Sequence, residues 1–585
     1  MLFAVALAGL LLAGLPSLGS RTSATASAHP LALETQPPTA ELPAVDPGYI
    51  YDQLAYMATH FQHREAGYDN NLPVSVSGHD EFADYWTHEM LSDLSGFGAV
   101  ARRDAFPVKG WAGRPAVVPA FNVEVTVPGA THAEQMVVIG CHYDGEASST
   151  QSANDDGSGC AIELGIAKAM AAYWRTHHVF PARTLRFVIF DAEEQGLYGS
   201  FYYLNATVNG DVGNIVAMFN EEQNGIGYPL RFLGLTSNPV LPFSTYLSPL
   251  TDNSLYPHQD QLSGAQRATL SHFRAEIAQA IPAVFAEFQA LGYSTLDYTD
   301  ASGHSVAQPI FGANDATQDV HILDDDEGSS DQVPFTLAGV PAAMLIGNFS
   351  YYNPDAPPWS YPYDQPTDTI QLMNTYASGC ANESKALELA LALPGMLTAW
   401  MLAQPDVLGA AASDGKPIAA ISDVGQPVAG QPLALDARAS FDPSSSGSGS
   451  SALSYAWSFG DGATASGQSV SHTYAHAGSY TLTLKVSGSA GTRTVSKSVT
   501  VVAAPTVYDN PYAAYPAQDG RPPTNTRLVL PQSHCTSGGT STAHNTTSRS
   551  GLQVGAVVTY AVIVLVILAL VAGLGLLLTR RRSRH

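Results

Sequence analysis

Apolar positions along this chain follow two rhythms that alternate. From Tyr49 to Leu94 they recur at helical spacing, with Phe82, Trp86, Met90 and Leu91 on one face, which predicts helices. Phe121 to Val127 alternates apolar with polar like a half-buried strand and stops at Pro128-Gly129. Met136–Gly140, Leu185–Phe190 and Ile215–Phe219 are short unbroken apolar runs, the pattern of strands covered on both faces. Gly159–Ala172, rich in small residues, reads as a helix between the first two of these runs. Strands alternating with helices predict an α/β domain with a doubly wound, mostly parallel sheet and helices on both faces. Residues 262 to 291 read as a long helix inserted over the sheet, Phe335–Ile346 as a further buried segment, and Ser384–Met401 as a closing Ala/Leu-rich helix. This domain is expected to span 46–404.

The three buried runs share an ending. The first leads into Cys141-His142-Tyr143-Asp144, the second into Asp191-Ala192-Glu193-Glu194-Gln195-Gly196, and the third into Asn220-Glu221-Glu222. In open α/β sheets the carboxyl edge of the strands is where ligands bind. Adjacent residues leaving a strand point in different directions, so of Glu193 and Glu194 one can hold a metal while the other faces a substrate as a proton carrier. Asn154-Asp155-Asp156-Gly157-Ser158-Gly159 lies between the first two endings as a Gly-rich acidic turn opening a helix. A single Glu-Glu pair is ordinarily a solvated loop. Recurrence at successive strand ends changes that reading, because one imidazole with several carboxylates is the donor set of a hydrolytic zinc site. More carboxylates than one ion needs point to two ions sharing an Asp.

Beyond Ser413 the composition shifts to Ser, Gly, Ala, Val and Thr with alternating apolar positions, which predicts a small β-sandwich. Tyr455-Ala-Trp457-Ser-Phe459-Gly-Asp461-Gly462, His472-Thr-Tyr474 and Gly478-Ser-Tyr480 with its following Thr/Leu alternation resemble the polycystic-kidney-disease (PKD) domain, placed at 415–503. That resemblance implies an immunoglobulin-like spacer or a module for cell-surface contacts. Residues 504–551, rich in Pro, Ser, Thr and Gly, read as a flexible stalk.

His142-Tyr-Asp144, Asn154-Asp155-Asp156-Gly-Ser-Gly159, Ala192-Glu193-Glu194-Gln-Gly196 and Asn220-Glu-Glu222 resemble the co-catalytic zinc aminopeptidases, a family that also holds glutamate carboxypeptidase, the transferrin-receptor ectodomain and the secretory glutaminyl cyclases. The resemblance implies His142 on a first zinc, Asp155 bridging two zinc ions, Glu194 on the second, Glu193 as general base, and Asp144 orienting the imidazole of His142. Two positions depart from the family pattern. Glu222 stands where an Asp is usual, and Tyr363-Asp364-Gln-Pro-Thr-Asp368-Thr369 puts Asp364 where a His is usual. An Asp there adds negative charge and shifts preference toward harder metals; His321 is the other residue weighed for that place. The implied activity is an exopeptidase that removes N-terminal residues from peptides, with the 262–291 insertion as a possible roof over the pocket. The alternatives weighed are a catalytically silent binding or adhesion protein on the same fold and a glutaminyl-cyclase-like acyl transferase.

Charge and the two ends set the context. The 585-residue chain carries a formal charge of −25 and offers no basic track for phosphates, which excludes nucleic acid as a partner. Only 13% of its residues are charged, so the acidity reflects scarce Lys and Arg rather than acidic blocks. Residues 1–28 read as a secretory signal with Ala26-Ser27-Ala28 before the cut, and 29–45 as Pro/Ala/Thr-rich and disordered. Residues 554–578 are apolar and long enough to span a bilayer, and the basic tail 579–585 predicts a cytoplasmic C-terminus. The expectation is a single-pass membrane protein with most of its chain outside the cell. Four cysteines are too few for a disulfide scaffold. Cys141 and Cys160 flank the acidic cluster and stand equally as a bridge or as two buried small residues. Asn205, Asn348, Asn382 and Asn545 begin glycosylation sequons.

Overall fold

The computed structural model describes residues 42–504 apart from 67–77, 110–116, 209–210, 226–242, 254, 258, 292–294, 300–304, 310–319, 327–329, 348–363, 379–380, 405–409, 413–414, 423, 426 and 443–452. The expected signal, most of 29–45, the stalk, the apolar segment 554–578 and the basic tail lie outside the described residues.

The first part of the chain is built on one eight-stranded sheet: β1 (Val100–Lys109), β2 (Val117–Val127), β3 (His132–His142), β4 (Arg183–Phe190), β5 (Ile215–Glu222), β6 (Phe243–Leu247), β7 (Val320–Asp324) and β8 (Ala342–Gly347). Their spatial order is β1-β2-β4-β3-β5-β8-β6-β7. The central strands β4, β3, β5 and β8 run parallel to one another, while β1 joins β2, β2 joins β4 and β6 joins β8 by antiparallel pairs, and β7 lies parallel to β6. Chain order reverses at β3, with β4 laid on one side and β5 on the other. That is a topological switch point, and it brings the carboxyl ends of β4, β3 and β5 side by side.

The unbroken apolar runs follow from coverage on both faces. Along β3, Val137, Ile139 and Cys141 join one core cluster and Met136 and Val138 the other; every residue of β4 is buried. The larger cluster is closed by α1 (Pro47–His60), α2 (His79–Asp93), α3 (Gly157–His177), α4 (Gly264–Ala290), α5 (Gln332–Leu337), α6 (Ile370–Ser378) and α7 (Lys385–Ala403), apart from α5, whose Phe335 belongs to the opposite face. Helix α4 does lie over the sheet. Its Phe273, Ile277, Phe285 and Phe288 enter the main core, and Phe273 meets Phe219 of mid-β5 with ring centroids 5.6 Å apart. It therefore packs on a sheet face instead of roofing the carboxyl edge. Helix α7 is long and apolar enough to cross a membrane, yet 94% of that stretch is buried inside the protein, as a core helix would be.

The later part is all β. Ser454–Ser458, Thr464–Ser466, Gly478–Gly488 and Gly491–Val501 form one antiparallel sheet, and Leu433–Asp436 pairs with Ser469–His472. Trp457, Phe459, Tyr474, Leu482, Leu484 and Val499 fill the space enclosed. It meets the first part through Lys497, whose Nζ is 3.3 Å from Asp211 Oδ2, through Ser498 N–H donating to Asp211 Oδ1 at 3.0 Å, and through the Phe180–Phe441 ring pair. Asp211 precedes β5, so these contacts lie at the amino edge of the sheet.

Candidate metal centre

Apart from Asp364, which lies in a turn, the expected site residues sit at or just beyond the end of a strand or before the start of a helix. His142 closes β3, Glu222 closes β5, Glu193 and Glu194 follow the end of β4, and Asp155 precedes α3. Gly159 permits that convergence, because a Cβ there would lie 2.0 Å from the Glu221 carbonyl oxygen. His142 Nε2 is 3.0 Å from Asp155 Oδ1 and 3.7 Å from Glu222 Oε1. Donor atoms of His142, Asp155 and Glu194 lie within 4.8 Å of one another, and so do those of His142, Asp156 and Glu222. Asp364 belongs to the same group: its carboxyl faces Asp155, with Glu146 also acting on it.

The loops bearing these residues are tied to one another. Asp368, in the segment that carries Asp364, accepts the Asn154 N–H at 2.9 Å and the Asp155 N–H at 3.1 Å. Gln223 donates through Nε2 to Asp155 Oδ2 at 3.2 Å and through its main-chain N–H to Asp156 Oδ1 at 3.1 Å. Ser330 Oγ donates to Glu222 Oε2 at 2.6 Å and accepts from Asn220 Nδ2. Ala192, Gln223 and Asp364 have φ of 57°, 42° and 58°, left-handed values that cost energy for residues with a side chain. Such positions concentrate where surroundings hold a functional geometry.

Asp144 lies beside the His142 ring and makes a further contact. The His142 Nδ1 is 3.2 Å from the main-chain oxygen of Asp144 and 3.6 Å from its carboxylate. That carboxylate also accepts the N–H of Glu193 at 3.1 Å and of Glu194 at 3.4 Å. Asp144 thus faces the ring and the two glutamate amides at once. His321 falls on β7, four strands from β3, roughly 19 Å away at the usual strand spacing.

The electrostatics are those of an excess of buried acid. Burial would depress His142, but Glu193, Glu222, Asp144 and Asp155 lift it well above an ordinary imidazole. Burial raises Glu193, with His142 opposing and Glu222, Asp331 and Asp144 adding to it. Burial first, then Asp155 and Glu146, push Asp364 up to about 10. The buried oxygens Asp156 Oδ2 and Asp364 Oδ1 have no hydrogen-bond partner. Unpartnered buried carboxylate oxygens around an imidazole fit a bound divalent cation, which would displace these protons and supply the missing positive charge.

Three participants carried no signal in the sequence. Asp331, which precedes α5, is fully buried among Glu193, Glu222 and His142, and burial first pushes it up to about 7. Arg64 is also buried and donates to the carbonyl oxygens of Tyr143 (2.7 Å), Gln151 (2.6 Å) and Ser152 (2.9 Å), linking the His142 loop to the Asp155 turn. Burial lowers it to about 10, against Asp368, Asp144, Asp156 and Asp155. His79 reaches the Asp191 carboxylate behind Glu193. Cys141 and Cys160 do form a disulfide, joining the end of β3 to the first turn of α3.

A mostly parallel sheet with an imidazole and carboxylates gathered at its switch point defines an α/β protein with a carboxylate-rich metal centre. Residues 122–267 match Peptidase family M28 and residues 415–503 match the PKD domain, so the chain carries an M28-type peptidase domain followed by a PKD domain. A probable zinc metalloprotease of Pyricularia oryzae is 34% identical over 121 residues, 19% of this chain and 21% of that protein. Vacuolar protein sorting-associated protein 70 of Saccharomyces cerevisiae is 41% identical over 85 residues, 14% of this chain and 10% of that protein. This chain thus spans about a fifth or less of the length of these relatives. Among solved structures, a zinc aminopeptidase from Bacillus subtilis aligns with TM-score 0.40 and 14% identity over 64% of this chain and 98% of its own. A glutaminyl cyclase from Porphyromonas gingivalis aligns with TM-score 0.37 and 14% identity over 60% of this chain and 96% of its own.

Proposed function

We propose that this chain is a two-metal aminopeptidase held at the cell surface by its apolar segment 554–578, with the peptidase and PKD domains outside the cell. The observation that carries the reading is the meeting of His142, Asp155 and Glu194 donor atoms within 4.8 Å, with Glu193 beside them. His142 and Glu222 would hold one zinc, Glu194 and Asp364 the second, and Asp155 both. Zinc, when bound, polarises a peptide carbonyl and lowers the pKa of water.

The chain's own residues supply the proton chemistry. Glu193, only 9% exposed, takes the proton from the attacking water and returns it to the departing amine. Asp144 holds Glu193 through its main-chain N–H, so the carboxylate meets the substrate in a fixed direction. Glu146, half-buried, donates its main-chain N–H to Glu194 Oε1 at 3.0 Å and so steadies the proposed ligand. Asn205 and Asn382 are exposed, as glycosylation requires. The PKD domain is read as a contact module at the amino edge of the sheet, opposite the metal centre.

The experiment is release of p-nitroaniline from leucine p-nitroanilide by zinc-loaded protein, with and without chelator. Zinc-loaded protein that releases nothing from any amino-acid anilide would remove the aminopeptidase reading. Asp364 in place of an imidazole favours one competing reading, a catalytically silent binding or adhesion protein on the same fold; purified protein that holds no ion under native conditions would support it.

A further inference from the structure

One buried cation outside residues 122–267 touches the turn that aims the proposed base. His79 opens α2, is 6% exposed, and lies between the rings of Phe121 and Tyr143, with centroids 5.3 and 4.7 Å away. Its Nδ1 is 3.0 Å from Asp80 Oδ1 and its Nε2 is 2.9 Å from Asp191 Oδ1. A carboxylate at each ring nitrogen makes both nitrogens donors, so the ring is an imidazolium. Burial opposes that charge, but Asp191 and Asp80 outweigh it and hold the group at about 9. Arg103, 3.6 Å from Asp80, is the other cation nearby. A helix amino end is its positive pole, so a cation at the first residue does not serve the helix. It serves Asp191.

Asp191 is the first residue past β4, two before Glu193. Its Oδ2 accepts the Phe121 N–H at 2.8 Å, its Oδ1 accepts the Ala192 N–H at 2.9 Å, and its own N–H donates to Asn122 Oδ1 at 3.1 Å. Ala192 then turns through a left-handed φ of 57°. On the far side of that residue the N–H groups of Glu193 and Glu194 are taken by Asp144. A turn of this conformation persists only when held from both sides. Asp144 holds one side, and the Asp191 carboxylate holds the other. Burying a carboxylate as deeply as Asp191, with 0% exposure, is costly without a partner, and His79 lies 2.9 Å from it.

We propose that His79 is a positioning residue for Glu193 and Glu194: its ion pair with Asp191 pins the turn at Ala192 and so fixes where both glutamates point. This rests on the peptidase reading for the role of Glu193. The His79 ring nitrogens meet Asp80 and Asp191, so it acts on the glutamates through Asp191. Misplacing a catalytic group by about 1 Å costs about 100-fold in rate, so the effect falls on kcat while the ligand set stays whole.

The test compares wild type, His79→Ala and His79→Gln in the zinc-loaded full chain. In His79→Ala we expect kcat on leucine p-nitroanilide to fall about 10- to 100-fold, with KM and zinc content unchanged. His79→Gln, which restores a neutral donor to Asp191, is expected to recover part of that loss. A kcat within twofold of wild type in His79→Ala overturns the proposal, and so does zinc lost together with kcat. If the alanine variant does not fold, His79→Gln is judged by the same two criteria. If wild type holds zinc but releases no product, the peptidase reading fails instead. The visible absorption of the cobalt-loaded proteins then decides on His79, because Glu194 sits on the same turn: an altered band in the variant supports the positioning role, and superimposable spectra overturn it.

Discussion

His142 presents its Nε2 to Oδ1 of Asp155 at 3.0 Å, although one residue closes a strand and the other precedes a helix 13 positions later. Behind them the Cys141–Cys160 disulfide joins the same two elements. His142 is common to both candidate donor groups and Asp155 belongs to one of them, so buried carboxylates outnumber the cations placed among them. Zinc should therefore stabilise the fold by ordinary linkage, about 2.7 kcal/mol at a hundredfold excess over its dissociation constant. Calorimetry with added zinc and with chelator checks this; a melting temperature indifferent to both would mean no ion binds here.

Replacing Glu193 by Gln keeps the shape of the side chain and removes its ability to take a proton. Turnover should fall by at least about 100- to 10,000-fold, the usual contribution of a general base. Zinc content, measured by plasma emission, should not change. Unaltered turnover would take Glu193 out of the mechanism.

The proposed second position, among Asp155, Glu194 and Asp364, offers oxygen donors alone, which suits harder cations than zinc. Protein dialysed against equal zinc and manganese is expected to retain both metals. Asp364→His is expected to convert the content to zinc only. Two equivalents of zinc and no manganese in the wild type would show that the carboxylate does not discriminate.

Glu163 in α3 is fully buried, and neither of its carboxylate oxygens has a hydrogen-bond partner. Burial first, then Glu221 and Asp156, raise it well above the ordinary carboxylate range. A folded-state pKa above the unfolded one means the native protein binds the extra proton, so this group's contribution is lost as pH rises past about 4.5. Glu163→Gln imitates the protonated form at every pH. Its melting temperature should exceed that of wild type at pH 8 by several degrees, and the gap should close toward pH 4.5. A gap independent of pH would show that Glu163 does not titrate with folding.

The PKD-type domain is tied to the peptidase domain through a buried charge. Lys497 and Asp211 are 6% and 4% exposed, and breaking one partner of such a pair commonly costs about 3–5 kcal/mol. Asp211→Ala should lower the melting temperature of the whole chain while leaving zinc content intact. An unchanged melting temperature would show that the contact contributes nothing to the fold.

Much of this protein is written locally. Unbroken apolar runs at Met136, Leu185 and Ile215 demanded coverage on both faces, and each ran into acid, so the sheet, its helices and the acidic edge follow from patterns a few residues long. The aromatic signature from Tyr455 to Tyr480 fixed the second domain in the same way. Tertiary structure alone decided which acids face one another and what holds them. His79, Arg64 and Asp331 lie about 80 to 190 positions from the residues they serve, and no periodicity marks them. The task of the Asp144 carboxylate was likewise open, since a carboxylate two residues from an imidazole can turn to the ring or to another loop. It reaches the Glu193 and Glu194 amides as well as the ring because β4 lies next to β3. Strand neighbours are set by packing across the sheet, and sequence distance does not determine them.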